Sequence, residues 1–174
     1  IATAMSCGVD SFATICQLIK DKKDNFKVNY LTYFNNGAHH EGKNGHNSNQ
    51  NELYNEQLSI IKDFCQKNNY KLIAIDSNLN EFLALNFGID GFGTTHTYRN
   101  IGIVLLLQKL IKLYYYAPGL DIKKFKIDIF DDPTHYERYL LPMLSTETTE
   151  FINSYGYQSR LEKIKLISDF DFTY

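Results

Sequence analysis

No stretch constrains this chain more than the run Ala4-Met5-Ser6-Cys7-Gly8-Val9-Asp10-Ser11-Phe12. A short apolar stretch, Ile1 to Met5, leads into it. An amphipathic one, Phe12 to Lys20, follows, with Phe12, Ile15, Cys16 and Ile19 at helical spacing. Strand, small-residue turn and helix in that order turn a backbone into an anion cradle. Successive N–H groups point into the turn, and the helix N-terminus adds about half a positive charge. Phosphate is the usual tenant of such a place. The plainer alternative is a tight turn with Asp10 or Ser11 as the helix N-cap.

The rest of the chain repeats the alternation. Val28 to Phe34, rich in β-branched and aromatic residues, reads as a buried strand. Asn35 to Gln50 is polar, carries Gly37, Gly42 and Gly45, and reads as a long surface loop. Leu53, Ile60, Ile61 and Phe64 mark a helix, and Lys71 to Asp76 a short strand. Gly88 to Gly93 reads as a flexible connector, after which Thr94 or Thr95 caps a strong helix reaching about Lys112. Leu113 to Ala117 is expected to be a strand ended by Pro118-Gly119. Beyond it, Lys126 to Phe130 and Thr148 to Asn153 read as strands, and Glu137 to Leu144 and Ser159 to Ser168 as helices. The expected fold is α/β: a Rossmann-like three-layer α/β/α sandwich on a mostly parallel five-stranded sheet. Ligands in such sheets bind at the carboxyl ends of the strands, where the Ser6–Ser11 turn falls.

Composition narrows the partners. The 174 residues suit one domain, and a net charge of −2 argues against a broad nucleic-acid surface. Cys7, Cys16 and Cys65 are an odd count with no C-x-x-C, so neither a zinc ribbon nor a redox pair is indicated, and a reducing cytoplasm is expected. The longest apolar run, Ile101 to Leu107, is too short to span a bilayer. Because Ile1 falls directly inside a core strand, the chain is expected to be a fragment of a longer protein, with residues 1–174 its nucleotide-binding domain.

The Ser6–Ser11 turn resembles the PP-loop of the ATP pyrophosphatase, or adenine nucleotide alpha hydrolase, superfamily, whose signature is Ser-Gly-Gly-x-Asp-Ser. Ser6, Gly8, Asp10 and Ser11 match and Cys7 departs. No Lys-Ser/Thr pair follows, so the loop is not of the Walker type. The resemblance implies ATP and Mg²⁺ as cofactors and cleavage between the α and β phosphates, with Ala4, Met5, Ser6, Cys7, Gly8, Val9, Asp10 and Ser11 around the nucleotide. It implies adenine against Thr3, Ala4 and Met5 with Tyr33, Phe34 and Asn35. Leu141 to Ser145 and Ser159 to Lys163 look similar to the 7-cyano-7-deazaguanine synthase-like branch, whose cysteine cluster has no counterpart here.

Individual residues carry two readings. Asp10 either completes the helix dipole or meets a Mg²⁺ beside the phosphates. Cys7 either narrows the cradle, or disfavours its backbone angle, or is a tolerated small residue; at a helix N-terminus its thiol pKa could also be depressed. His96 and Arg99, expected in the first turn of the strong helix, oppose its dipole and so suit an anion. Arg99 is then a candidate for the α-phosphate or a substrate carboxylate, with Asn100 a weaker companion, and the alternative is a solvated Arg beside a capping His. Arg160 and Lys163 either approach the pyrophosphate, as the resemblance implies, or form an exposed basic face. His39, His40 and His46 with Glu41 read as surface loop rather than zinc site, and so does His135 after Asp131 and Asp132.

Together these suggest an ATP-dependent adenylating enzyme with Asp10, Ser11, Arg99 and Lys163 as catalytic residues. Its partners would be ATP and a small-molecule or RNA-related substrate, without a membrane; a homodimer is left open. The alternative is a non-catalytic nucleotide-binding module on the same fold.

Overall fold

The computed structural model describes residues 1–21, 27–38, 50–89 and 91–173. His39, His40, Glu41 and His46 lie outside them. Five strands, β1 (Ala2–Ala4), β2 (Tyr30–Asn35), β3 (Lys71–Asp76), β4 (Leu113–Tyr116) and β5 (Glu150–Asn153), form one sheet in the order β3-β2-β1-β4-β5. Every pairing is parallel, with Thr3 beside both Leu31 and Tyr115 at the centre. Among the described residues six α-helices accompany the sheet: α1 (Val9–Lys20), α2 (Gln50–Lys67), α3 (Leu79–Phe87), α4 (Phe92–Leu106), α5 (Glu137–Leu144) and α6 (Arg160–Ser168).

Strand alternation sorts the core into two layers. Leu31 and Tyr33 of β2 and Leu113 and Tyr115 of β4 pack with Ile15 of α1 and Ile61 and Phe64 of α2. Phe34, Tyr114 and Tyr116 face the other way, onto Ile101 and Val104 of α4 and Leu141 of α5. Helix α6 closes over α1 through Leu166, Ala13 and Cys16. Its own start is secured by Ser159 and Glu162, which satisfy each other's backbone amides. The three-layer α/β arrangement therefore follows from strand periodicity, and the sheet is wholly parallel rather than mostly so.

Three local expectations need correction. Lys126–Phe130 is not a strand: Ile127 and Ile129 are each 94% exposed, and β5 occupies the place beside β4. Alternation alone cannot supply a partner. The strong helix starts at Phe92, two residues before Thr94, with Gly91 as its cap. The Thr94 and Thr95 hydroxyls donate back to Gly91 O at 3.0 and 2.7 Å. It stops at Leu106, where the chain tightens into the turn Leu107–Leu110, not near Lys112. Finally, α3 was not anticipated. Its apolar residues are spread around the axis and none is buried, so no stripe marks it. Gly88, at φ +64°, ends it in the left-handed conformation, its N–H donating to Ala84 O.

Candidate functional site

With this strand order the chain leaves β1 toward β2 on one side and returns through β4 on the other, which opens a crevice at the carboxyl ends of β1, β2 and β4. A cleft of about 310 Å³ lies there. Of the residues singled out from sequence, Ala4, Met5, Ser6, Asp10 and Ser11 line it from β1 and the head of α1, Phe34 from β2 and His96 from α4. Asn100, Thr32 and Tyr33 join them.

The turn itself is built from three backbone choices. Met5 N–H still donates to Thr32 O at 2.9 Å, one residue past β1. Cys7 then adopts φ +57°, and Gly8, at φ −88° and ψ 166°, caps α1 without any side chain accepting from the first-turn amides. The Ser11 hydroxyl donates to Gly8 O at 2.9 Å, and Ser6 donates to Ser11 Oγ at 3.4 Å. The first-turn N–H groups are thus left without a side-chain acceptor, while the two serine protons are spent on Ser11 Oγ and Gly8 O. Val9 and Gly8 shape the turn but are not among the cleft's lining residues.

Cys7 occupies the signature's glycine position in a glycine-like conformation. Its side chain is half-buried and packs against the Met5–Phe64 core rather than lining the cleft. Burial raises the thiol pKa, the reverse of activation by a helix terminus. A left-handed backbone costs a non-glycine residue about 1–2 kcal/mol, and a β-branched one more. Cys7→Val is therefore expected to lower stability by about 2 kcal/mol, while Cys7→Gly stays within about 1 kcal/mol of the parent. Equal melting temperatures for the parent and Cys7→Val would contradict the strained turn.

Asp10 and Lys163 meet although they are 153 positions apart. Lys163 Nζ donates to Asp10 Oδ1 at 2.7 Å and to Pro118 O at 2.6 Å. The Lys163 side chain is 4% exposed and that of Asp10 33%. The exposed-face reading fails for Lys163, which α6 turns inward, and holds for Arg160, which is exposed and away from the cleft. Asp10 lines the cleft, and Lys163 engages its Oδ1. One carboxylate with phosphate and water ligands is how Mg²⁺ is commonly held, so the residues fit an ion carried by a nucleotide. Among the described residues no group of three His, Cys, Asp or Glu side chains could hold a metal by itself.

Arg99 is neither in the first turn nor in the cleft. It sits two turns into α4, buried. Its Nε donates to Thr95 Oγ1 at 2.7 Å, and its Nη1 to Asn36 O at 2.9 Å and Asn80 Oδ1 at 2.7 Å. The guanidinium thus ties α4 to the end of β2 and the start of α3. Gly37 makes room for it: a Cβ there would lie 2.5 Å from Nη1, and its φ of +117° suits only glycine. Next to it Asn36 Nδ2 donates to Asn100 Oδ1 at 2.7 Å, which orients two cleft residues.

The sequence reading missed Glu137, which lines the cleft at the start of α5. An acid in a helix's first turn is commonplace, so nothing in the local sequence distinguishes it. It is 2% exposed. Oε1 accepts from Thr97 Oγ1 at 3.0 Å and lies 3.8 Å from His96 Nε2, while Oε2 has no hydrogen-bond partner among the described residues. Burial lifts its pKa from 4.5 to about 8, assisted by the charges of Asp132 and Asp10 and opposed by the Thr97 and Tyr116 hydroxyls. Glu137 is therefore chiefly a neutral acid at pH 7. His96 lies beside it, Nδ1 against Gly93 O at 3.1 Å and Nε2 against Thr134 Oγ1 at 3.2 Å. Since Gly93 O can only accept, Nδ1 carries the proton.

A raised carboxyl pKa makes stability fall with pH. The contribution is fully present below 4.5, where both states are protonated, and drains away toward 8 as only the unfolded chain ionises. Glu137→Gln, neutral throughout, is expected to flatten urea midpoints between pH 5 and 8 and to gain about 2–3 kcal/mol at pH 7. Parallel pH profiles for the two proteins would contradict a neutral Glu137.

No family model matches the chain, and no curated protein or solved structure matches it significantly.

Proposed function

We propose that this domain binds ATP with Mg²⁺ and cleaves it to AMP and pyrophosphate in order to adenylate a substrate. One observation carries the reading: the Ser6–Ser11 turn and the uncapped head of α1 open onto a cleft at the switch point of a parallel sheet. The pyrophosphate end of ATP rests on the first-turn amides, and the Ser6 and Ser11 hydroxyls rotate from their present acceptors to meet it. The base lies toward Ala4, Met5, Tyr33 and Phe34. A carboxylate or amide oxygen of the substrate attacks the α-phosphorus, and the bond to the bridging oxygen breaks with its electron pair leaving on pyrophosphate. A nitrogen or sulfur nucleophile then displaces AMP.

Mg²⁺, met by Asp10, would neutralise charge on the departing group. Lys163 holds Asp10 in place and adds positive potential to the same corner. Catalysis on this reading is positioning and charge stabilisation. The packing of Cys7 into the core supports activity over mere binding, because the side chain does not crowd the turn.

The test is ATP labelled at the α-phosphate, incubated with Mg²⁺, ammonium and a panel of carboxylic acids. Labelled AMP with pyrophosphate is expected, and a Ser6→Ala, Ser11→Ala double variant should bind ATP at least tenfold more weakly. ADP with free phosphate would reject the proposal. Calorimetric ATP binding without any turnover would favour the non-catalytic module.

A further inference from the structure

Helices α3 and α4 carry apolar side chains that nothing in the domain covers. No residue of α3 is buried. Leu85 is 86% exposed, and Phe82 and Phe87 touch each other, ring centroids 5.8 Å apart, yet stay exposed. Ile89 follows in the connector, and Tyr98 and Leu106, the latter 84% exposed, stand on α4. Arg99 of α4 donates to Asn80 of α3, which holds the two helices together. At ~200 Å² for a fully open side chain of this size, the six present roughly 700 Å² of apolar surface. Apolar patches on monomers are usually about 300–600 Å².

Charge and backbone point the same way. From Leu79 to Gln108 the formal charges are Glu81, Asp90 and Arg99, and Arg99 is buried, in a chain that is 22% charged overall. Loss of charge marks the centre of protein interfaces. On α4, Tyr98, Gly102 and Leu106 recur every four residues and are all exposed, so they share one side, turned away from the buried Thr97, Ile101 and Val104. A Cβ on Gly102 would meet nothing within 4 Å. Glycine inside a helix is less favourable than alanine, and no neighbour among the described residues requires it here. A helix crossing from outside does require it, because a missing side chain lets two backbones approach closely.

We infer that this surface is the interface of a homodimer, in which α4 crosses the α4 of a second copy at Gly102. Tyr98 and Leu106 of each helix pack on either side of the crossing as ridges four residues apart. Phe82, Leu85 and Phe87 of α3 extend the contact. A second copy is the occupant that this chemistry fits. A twofold interface sets one surface against itself, so every charge on it faces its own kind; a surface almost without charge escapes that repulsion. The exposed apolar area is also close to the ~800 Å² that each partner buries in a stable interface. His96 and Asn100 leave α4 toward the cleft, so the helix serves the cleft and the interface with different sides, and the inference stands apart from the ATP reading.

Sedimentation equilibrium of the whole chain tests it. The parent, of 20.2 kDa, is expected to run at twice that mass at about 10 µM, since interfaces of this size hold at micromolar concentration or tighter. Gly102→Lys and Leu106→Lys should each weaken association at least tenfold. Both positions are open to solvent, and circular dichroism with an unchanged helical signal shows that the variants are folded. Ile127→Lys, on a side chain 94% exposed outside these helices, should leave the dimer intact. A parent that stays monomeric at 100 µM would overturn the inference and leave the face to a different protein or to further parts of the polypeptide. A dimer indifferent to Gly102→Lys would overturn it by placing the contact elsewhere. Equal weakening by Ile127→Lys would overturn it in favour of non-specific apolar association.

Discussion

Replacing Lys163 by methionine is expected to destabilise the domain by about 3 kcal/mol, although the residue lies in a helix whose sequence reads as an exposed basic face. Nζ bridges Asp10 Oδ1 and Pro118 O. Losing it leaves a carboxylate at the head of α1 without its cation and a buried carbonyl without its donor. The partial exposure of Asp10 keeps the loss below that of a fully buried pair. Methionine preserves the apolar stem, so the change isolates the charge. The urea midpoint should fall with an unchanged denaturant slope. Adding Asp10→Asn should recover part of the loss, and a double-mutant cycle should give a coupling of at least about 1 kcal/mol. Additive single effects would show the pair to be incidental. On the proposed function Lys163→Met also weakens ATP, because Asp10 is no longer held beside the phosphates.

Arg99→Met is expected to cost about 3–4 kcal/mol, since three hydrogen bonds from a buried cation disappear and Asn36 O and Asn80 Oδ1 lose their donor. Arg99→Lys should recover less than half, because an ammonium lacks the planar fork whose Nε holds Thr95 while Nη1 reaches Asn36 and Asn80. The measurement separates two roles. A direct phosphate ligand would, when removed, weaken ATP with little change in folding. A clamp would lower the unfolding midpoint first and weaken ATP only through the displaced Asn36 and Asn100, which line the cleft. A stability loss below about 1 kcal/mol would refute the clamp.

Arg99 shows where local reasoning ends. A cation near a helix N-terminus suggested an anion, but the helix begins earlier than its threonines suggested. The guanidinium is then turned toward backbone that no pattern could place beside it. Glu137 was invisible for the opposite reason: an acid in a first helical turn is ordinary until packing removes its water. Lys163 looked like surface because its neighbours are; only α6 docking on α1 turns it toward Asp10.

What the amino-acid order determines here is whatever depends on near neighbours. Hydrophobic period specifies strand or helix, and small residues between Met5 and Val9 specify a turn with exposed amides at a strand's carboxyl end. From these follow the layered parallel fold and the location of the cleft. Tertiary structure alone decided which charges are buried, which pairs meet across 153 positions, and which carboxyl loses its water at the cleft. The physical reason is that desolvation and ion pairing depend on distance in space, and the spacing of residues along a chain does not encode it.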